Sequence, residues 1–183
     1  MSVETLAEVL KPPANRVPFN PGLWPEVEGR IGNLPKDYRD FANDFGAGSI
    51  DDFAWVYIPL VGNPNLDLLQ QIPSHERTLR ALKGDPNYSL PFKVKPEPGG
   101  LLPFGTTDNG DGLYWLTEGD PDEWKVVVLE GRAARWELFP ETMTGFLAGL
   151  LTRRIRCAIF PSDFPRDEPR FVPFHSSATR SRI

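Results

Sequence analysis

Two short segments, at residues 34–48 and 102–115, constrain the fold of this chain more than any other feature. The first reads Leu34-Pro35-Lys36-Asp37-Tyr38-Arg39-Asp40-Phe41 and runs into Phe45-Gly46-Ala47-Gly48. Pro35 suits the first turn of a helix, where its missing N–H costs nothing. In that helix Tyr38, Phe41, Ala42 and Phe45 share one face, while Lys36, Asp37, Arg39, Asp40 and Asp44 stay in water. Gly46 can adopt the left-handed conformation that closes it. The second segment is Leu102-Pro103-Phe104-Gly105, followed by Asp108-Asn109-Gly110-Asp111-Gly112-Leu113-Tyr114-Trp115. It reads as a tight polar turn between apolar strands.

The other elements are cut short by the chain's 20 prolines. Residues 2–10 read as an amphipathic helix with Ser2 as N-cap and Val3, Leu6, Val9 and Leu10 on one face. Pro12 and Pro13 end it. Residues 24–28 predict another helical turn, and residues 53–58 a strand between Asp51-Asp52 and Pro59. Residues 65–82 predict a helix capped by Asn65, with Leu66, Leu69, Leu79 and Leu82 inward and Pro73 splitting or kinking it. Strands are expected at 101–104, 112–117, 124–130 and 135–139, and a final helix at 141–151 with Met143, Phe146, Leu147, Leu150 and Leu151 buried. Beyond Arg153 the chain is basic and proline-broken. Residues 157–160 and 170–174 are candidate edge strands, and 175–183 reads as a frayed tail. Helices, then closely spaced strands, then a helix predict an α+β fold: a single domain with an antiparallel sheet and helices mainly on one face.

The order of these parts resembles the SMI1/KNR4 (SUKH) superfamily. The matching pieces are the Leu-Pro helix and Gly-x-Gly turn at 34–48, the strand at 55–58, and the Pro-Phe-Gly and Gly-Asp segment at 102–115. The Val-rich strand at 125–129 and the Phe-Leu-Leu helix at 139–151 complete them. The resemblance covers 24–151, and residues 1–152 are assigned to the domain, with 153–183 as a basic C-terminal extension. It implies a module that binds another protein and catalyses nothing. Many bacterial members are immunity proteins that neutralise a toxin, and eukaryotic members are thought to bind cellular proteins. The family brings no catalytic residues with it.

Composition narrows the function further. A net charge of −5 argues against non-specific binding to nucleic acid, which needs a basic footprint. A single cysteine, Cys157, excludes an internal disulfide framework and a cysteine zinc cluster. Cys157 itself reads as a small core residue. The absence of a signal sequence or a long apolar run leads us to expect a cytoplasmic protein without a membrane span. His75 and His175 fall in no metal or catalytic spacing. The Asp108–Gly112 turn fails the calcium-loop pattern because glycines stand at 110 and 112. No cofactor and no metal are expected.

Between Lys95 and Lys125 there is no lysine, arginine or histidine, but there are seven acids and two tryptophans, Trp115 and Trp124. Such a segment suits a cationic partner, because opposed potentials speed association and set specificity. The leading expectation is an immunity protein that occludes a basic toxin domain, with Trp55, Tyr57, Asp108, Asp111, Glu118, Asp120, Asp122 and Glu123 as its contacts. The alternatives are a regulatory or scaffold protein for a cellular partner, and a hydrolase built on paired carboxylates such as Asp111. The C-terminal arginines (Arg153, Arg154, Arg156, Arg166, Arg170, Arg180, Arg182) are read as compensation of the last helix dipole plus a solvated tail.

Overall fold

The computed structural model describes residues 3–16, 19–86, 88–133 and 135–174. The Ser2 cap, Arg180, Arg182 and the whole 175–183 segment lie outside them. Among the described residues there are five α-helices and seven strands: α1 (Val3–Val9), α2 (Trp24–Ile31), α3 (Lys36–Asp44), β1 (Gly48–Ile50), β2 (Ala54–Val56), α4 (Leu68–Gly84), β3 (Leu101–Thr107), β4 (Gly112–Leu116), β5 (Lys125–Leu129), β6 (Trp136–Phe139), α5 (Met143–Leu151) and β7 (Phe171–Pro173). The strands form one antiparallel sheet in the order β6-β5-β4-β3-β2-β1-β7. Six strands follow one another as a meander, and the seventh returns to the far edge.

Alternation along the central strands sends side chains to both faces. Leu113 and Trp115 of β4, with Val126 and Val128 of β5, pack among residues of α1, α2, α3 and α5 in the larger core. Tyr114, Leu116, Val127 and Leu129 point the other way and are covered by Leu79 of α4 with Phe92 and Val94 of the segment after it. Four helices therefore lie on one face and α4 on the other, an α+β fold with helices mainly on one side.

Carboxylates from distant segments finish the helices. The side chain of Asp122, in the β4–β5 connection, accepts the Lys36 N–H at the start of α3 at 2.6 Å. Asp37 of α3 accepts both the N–H and the hydroxyl of Thr144, in the first turn of α5, at 2.9 Å. Negative charge at a helix N-terminus is favourable because the first N–H groups have no intrahelical partner. Helix α4 starts two residues later than expected. Asp67, not Asn65, is its cap and accepts Leu69 N–H at 2.9 Å. It also runs unbroken through the exposed Pro73, which forfeits only the bond to the Leu69 carbonyl.

The segment after Arg153 is integrated with the sheet. Residues 157–160 are turns rather than a strand, yet they bury Cys157, Ile159 and Phe160. Burial pushes the Cys157 thiol up to about 12, which suits a core residue better than a reactive one. Strand β7 pairs with β1, and its Phe171 packs on Phe41 and Phe45. Gly48 permits this, since a Cβ there would collide with the Val172 carbonyl and the Phe171 ring. Three of the arginines reach carboxylates: Arg153 with Asp167, Arg154 with Glu141, and Arg166 with Asp52.

Asp51 fixes this return. It lies with Asp52 in the β1–β2 turn, both at positive φ, a region aspartate tolerates better than most residues. Its buried carboxylate accepts the backbone N–H groups of Arg166 at 2.9 Å and Arg170 at 2.8 Å. Asp51→Asn keeps the turn but removes one acceptor and the charge, so we expect a loss of about 1–3 kcal/mol. Urea unfolding would measure it, with faster amide exchange confined first to 166–173.

Candidate functional site

The residues singled out from sequence do not form one surface. Strand β4 separates the β3–β4 turn from the β4–β5 connection, which places Asp108 and Asp111 at one end of the sheet and Glu118, Asp120, Asp122 and Glu123 at the other. Asp120 caps a short 3-10 turn through Asp122 N–H, and Asp122 holds α3 as described. Glu118 and Glu123 are exposed.

Asp111 leaves the candidate surface altogether. Only 2% of it is accessible, and its carboxylate accepts the Thr107 hydroxyl at 2.7 Å and the Gly131 N–H at 3.0 Å, tying two hairpin turns together. A carboxylate so enclosed, with each oxygen already accepting from a protein donor, is out of reach of a partner or a substrate. Trp115 and Trp124 are core residues. Trp55 and Asp108 do meet at the surface: the half-buried indole N–H donates to the exposed carboxylate at 2.8 Å.

Tyr57 is buried too, and its direction reveals a site that the sequence reading did not assemble. Its hydroxyl lies 3.1 Å from His75 Nε2, and the Tyr114 hydroxyl lies 2.8 Å from His75 Nδ1. Both rings meet the imidazole edge to face. This Tyr–His–Tyr bridge ties α4 to β4 and to the residue that follows β2, in the wall of a cleft of about 370 Å³ between helix and sheet. Gly112 is required here, because a Cβ would occupy the space of the Tyr114 ring. A shallower apolar hollow lined by Trp55, Leu66 and Phe174 shares Asn65 and Thr106 with the cleft, so the two adjoin at those residues.

Burial makes the bridge a neutral one. It lowers His75 to about 4 and raises Tyr57 to about 12 and Tyr114 further still, because charge is costly away from water. Residues 18 and 39 positions from His75 in sequence supply the two hydroxyls, so no spacing rule could have found them. One signal was present: His75 is in phase with Leu68, Ile72, Leu79 and Leu82 on the inner stripe of α4, where an imidazole must find partners.

Comparison with known proteins places this architecture. A family model, SUKH_6, described as SMI1-KNR4 cell-wall, matches residues 24–147, well over half of the chain. The chain belongs to the SMI1/KNR4 (SUKH) family. No curated protein and no solved structure matches it. The SUKH match spans α2 to the middle of α5 and so includes every residue of the Tyr–His–Tyr bridge and the Trp55–Asp108 pair. Among the described residues, no group of three or more His, Cys, Asp or Glu is placed to hold a metal ion. None of their helices is long and apolar enough to cross a membrane.

The neutral His75 makes stability depend on pH with a defined sign. Its folded pKa lies below its unfolded value near 6.5, so its contribution is complete above that value and declines as pH falls toward 4. The unfolded chain takes up the proton first. Lowering the pH from 7 to 5 should therefore cost about 2 kcal/mol from this group. His75→Phe should remove that part of the slope in urea unfolding measured across the same interval.

Proposed function

We propose that this chain is a non-catalytic binding protein of the immunity type, acting in the cytoplasm and neutralising a cognate toxin by covering it. Its membership of the SUKH family over 24–147 carries the reading. Occlusion needs no chemistry, only a rigid surface matched in shape and charge. The hollow beside the Trp55–Asp108 pair and the cleft that adjoins it are the proposed contact, and the sheet and α4 supply their rigidity. Trp55 has the features of an interface anchor, a large half-buried ring whose orientation is set by a hydrogen bond to an exposed acid.

Charge supports a basic partner. The chain carries −5 overall, and toxins that act on nucleic acid present basic clefts. Asp108 would act at the contact, while Glu118, Asp120 and Glu123 at the opposite end would act only through the long-range field. The hydrolase alternative is disfavoured by Asp111, whose carboxylate is enclosed and committed. A regulatory role toward a cellular protein is the second reading, favoured by the family's cell-wall description; the same surface would serve it.

The test is capture of partners by the tagged chain from its native cells at low salt, followed by co-expression of what is captured with and without the chain. The proposal expects a basic protein that elutes as salt rises and whose toxicity the chain suppresses. Trp55→Ala should weaken that complex by about 30-fold, the scale of an interface hot spot of about 2 kcal/mol. The pair Asp120→Lys and Glu123→Lys should chiefly slow association and alter its salt dependence. A harmless cellular partner would favour the second reading. A partner held equally by Trp55→Ala would move the contact elsewhere.

A further inference from the structure

The sheet ends in two edges, and they are finished differently. In an antiparallel ladder the N–H and C=O of a residue point to the same side, and successive residues alternate. On β7 the Phe174 N–H bonds the Ala47 carbonyl, and the Arg170 carbonyl accepts from the Asp51 N–H, both toward β1. Residues 171 and 173 therefore face outward, as does 169 before them. Prolines occupy 169 and 173, so only Phe171 offers an N–H along that stretch. Proline with its missing N–H turned to solvent blunts an edge.

Strand β6 has no such protection. The Glu130 N–H bonds the Arg135 carbonyl at 2.9 Å, which turns the backbone of Arg135, Glu137 and Phe139 toward β5. The N–H and C=O groups of Trp136 and Leu138 then point away from the sheet, and no described residue hydrogen-bonds those backbone groups. The same two residues carry exposed side chains, at 38% and 43%. Both lie on the α4 face, opposite Leu129 and Val127 in the β5 register. Lysine, proline or an inward charge would guard such positions. Tryptophan and leucine invite pairing instead.

The groups on this edge are complementary to a second copy of themselves. With two β6 strands antiparallel about a two-fold axis at Glu137, Trp136 of one copy opposes the partner's Leu138. Every outward N–H and C=O of the two residues then finds a partner. Moving the axis to Leu138 sets Trp136 against the partner's Pro140, which has no N–H to return. The first register also places an indole across from a leucine on each side of the axis, an aromatic–aliphatic cross-strand pair. On the opposite face the two Glu137 residues meet at the axis. Each carboxylate already accepts the Ala158 N–H of its own chain at 2.8 Å, and the partner's Arg135 lies diagonal to it, within reach of a long side chain. Base and acid thus alternate across the seam.

We infer that β6 is a self-association edge, through which two copies of this chain pair antiparallel about Glu137 and join their sheets into one. The inference does not rest on the toxin reading. In the sheet order β3, β4 and β5 separate β6 from β2, the strand that carries Trp55. Pairing therefore leaves each copy's proposed contact open and makes the assembly divalent.

The experiment is sedimentation velocity of the full chain from about 1 µM to about 1 mM, the range in which a small interface associates. Amide exchange is followed by NMR at both ends of that range. The inference expects a monomer–dimer equilibrium. The Trp136 and Leu138 amides should gain protection at high concentration, while the Phe171 amide on the blunted edge stays unchanged. Leu138→Lys, at an exposed position, should weaken the dimer at least about 10-fold and keep the urea midpoint. A monomer throughout overturns the inference, as does a dimer whose Trp136 and Leu138 amides exchange freely. Protection of both amides in a monomer overturns it too, by placing a segment of the same chain on the edge. The wild-type exchange decides the matter even where Leu138→Lys fails to fold. Toxin neutralised by a chain that stays monomeric would remove the dimer and leave the immunity reading. A dimer with no toxin partner would do the reverse.

Discussion

Gly112–Leu116 is enclosed on both faces, Leu113 and Trp115 by the layer of α1, α2, α3 and α5, Tyr114 and Leu116 by α4 and the segment that follows it. A strand so covered cannot sit at an edge or under a single layer of helices. It requires neighbours on each side and a helix on the sparse face. The meander from β2 to β6 supplies the neighbours. α4 supplies the cover, and its stripe must match whatever β4 points toward it. Because Tyr114 points there, the second layer cannot be wholly apolar, and His75 meets the phenol where a leucine would leave it without a partner.

Polar atoms enclosed by this arrangement fall into two groups with different consequences. Asp51 and Asp111 hold turns and returns together; their oxygens are aimed at backbone and hydroxyl donors, and neither faces a cleft. Such bonds are strong because an ionised acceptor in a poorly solvated place meets a fixed N–H. The Tyr–His–Tyr bridge is neutral and lies against a cavity. A turn with two acids and an acid in the core are thus architecture, while a histidine in an apolar stripe marks the cleft between α4 and the sheet.

Much of the fold was legible because its signals are local. The Tyr38, Phe41, Ala42, Phe45 face of α3, the turn at Asp108-Asn109-Gly110, and the edge strand near Phe171 are set by periodicity and turn chemistry within a few residues. The start of α4 was misjudged by two residues because Asn65 and Asp67 are both competent caps, and only the packing of Leu68 against the core chooses between them. The candidate site was legible only in part. Trp55 and Asp108 were named separately, and their pairing depends on the β2–β3 register. Asp111 looked like the acids around it because sequence cannot distinguish a carboxylate pointing outward from one turned under a hairpin.

The sequence by itself determined the class of fold and the family: proline and glycine placement and apolar periodicity act through local backbone preference and burial, which need no knowledge of the whole. Tertiary structure alone decided which acids face water, which end of the sheet each occupies, and that Tyr57, His75 and Tyr114 share one cleft. Strand register and helix packing bring those three together, and both are fixed by long-range burial. Hydrogen-bond direction is fixed only once the partners are within about 3 Å of each other.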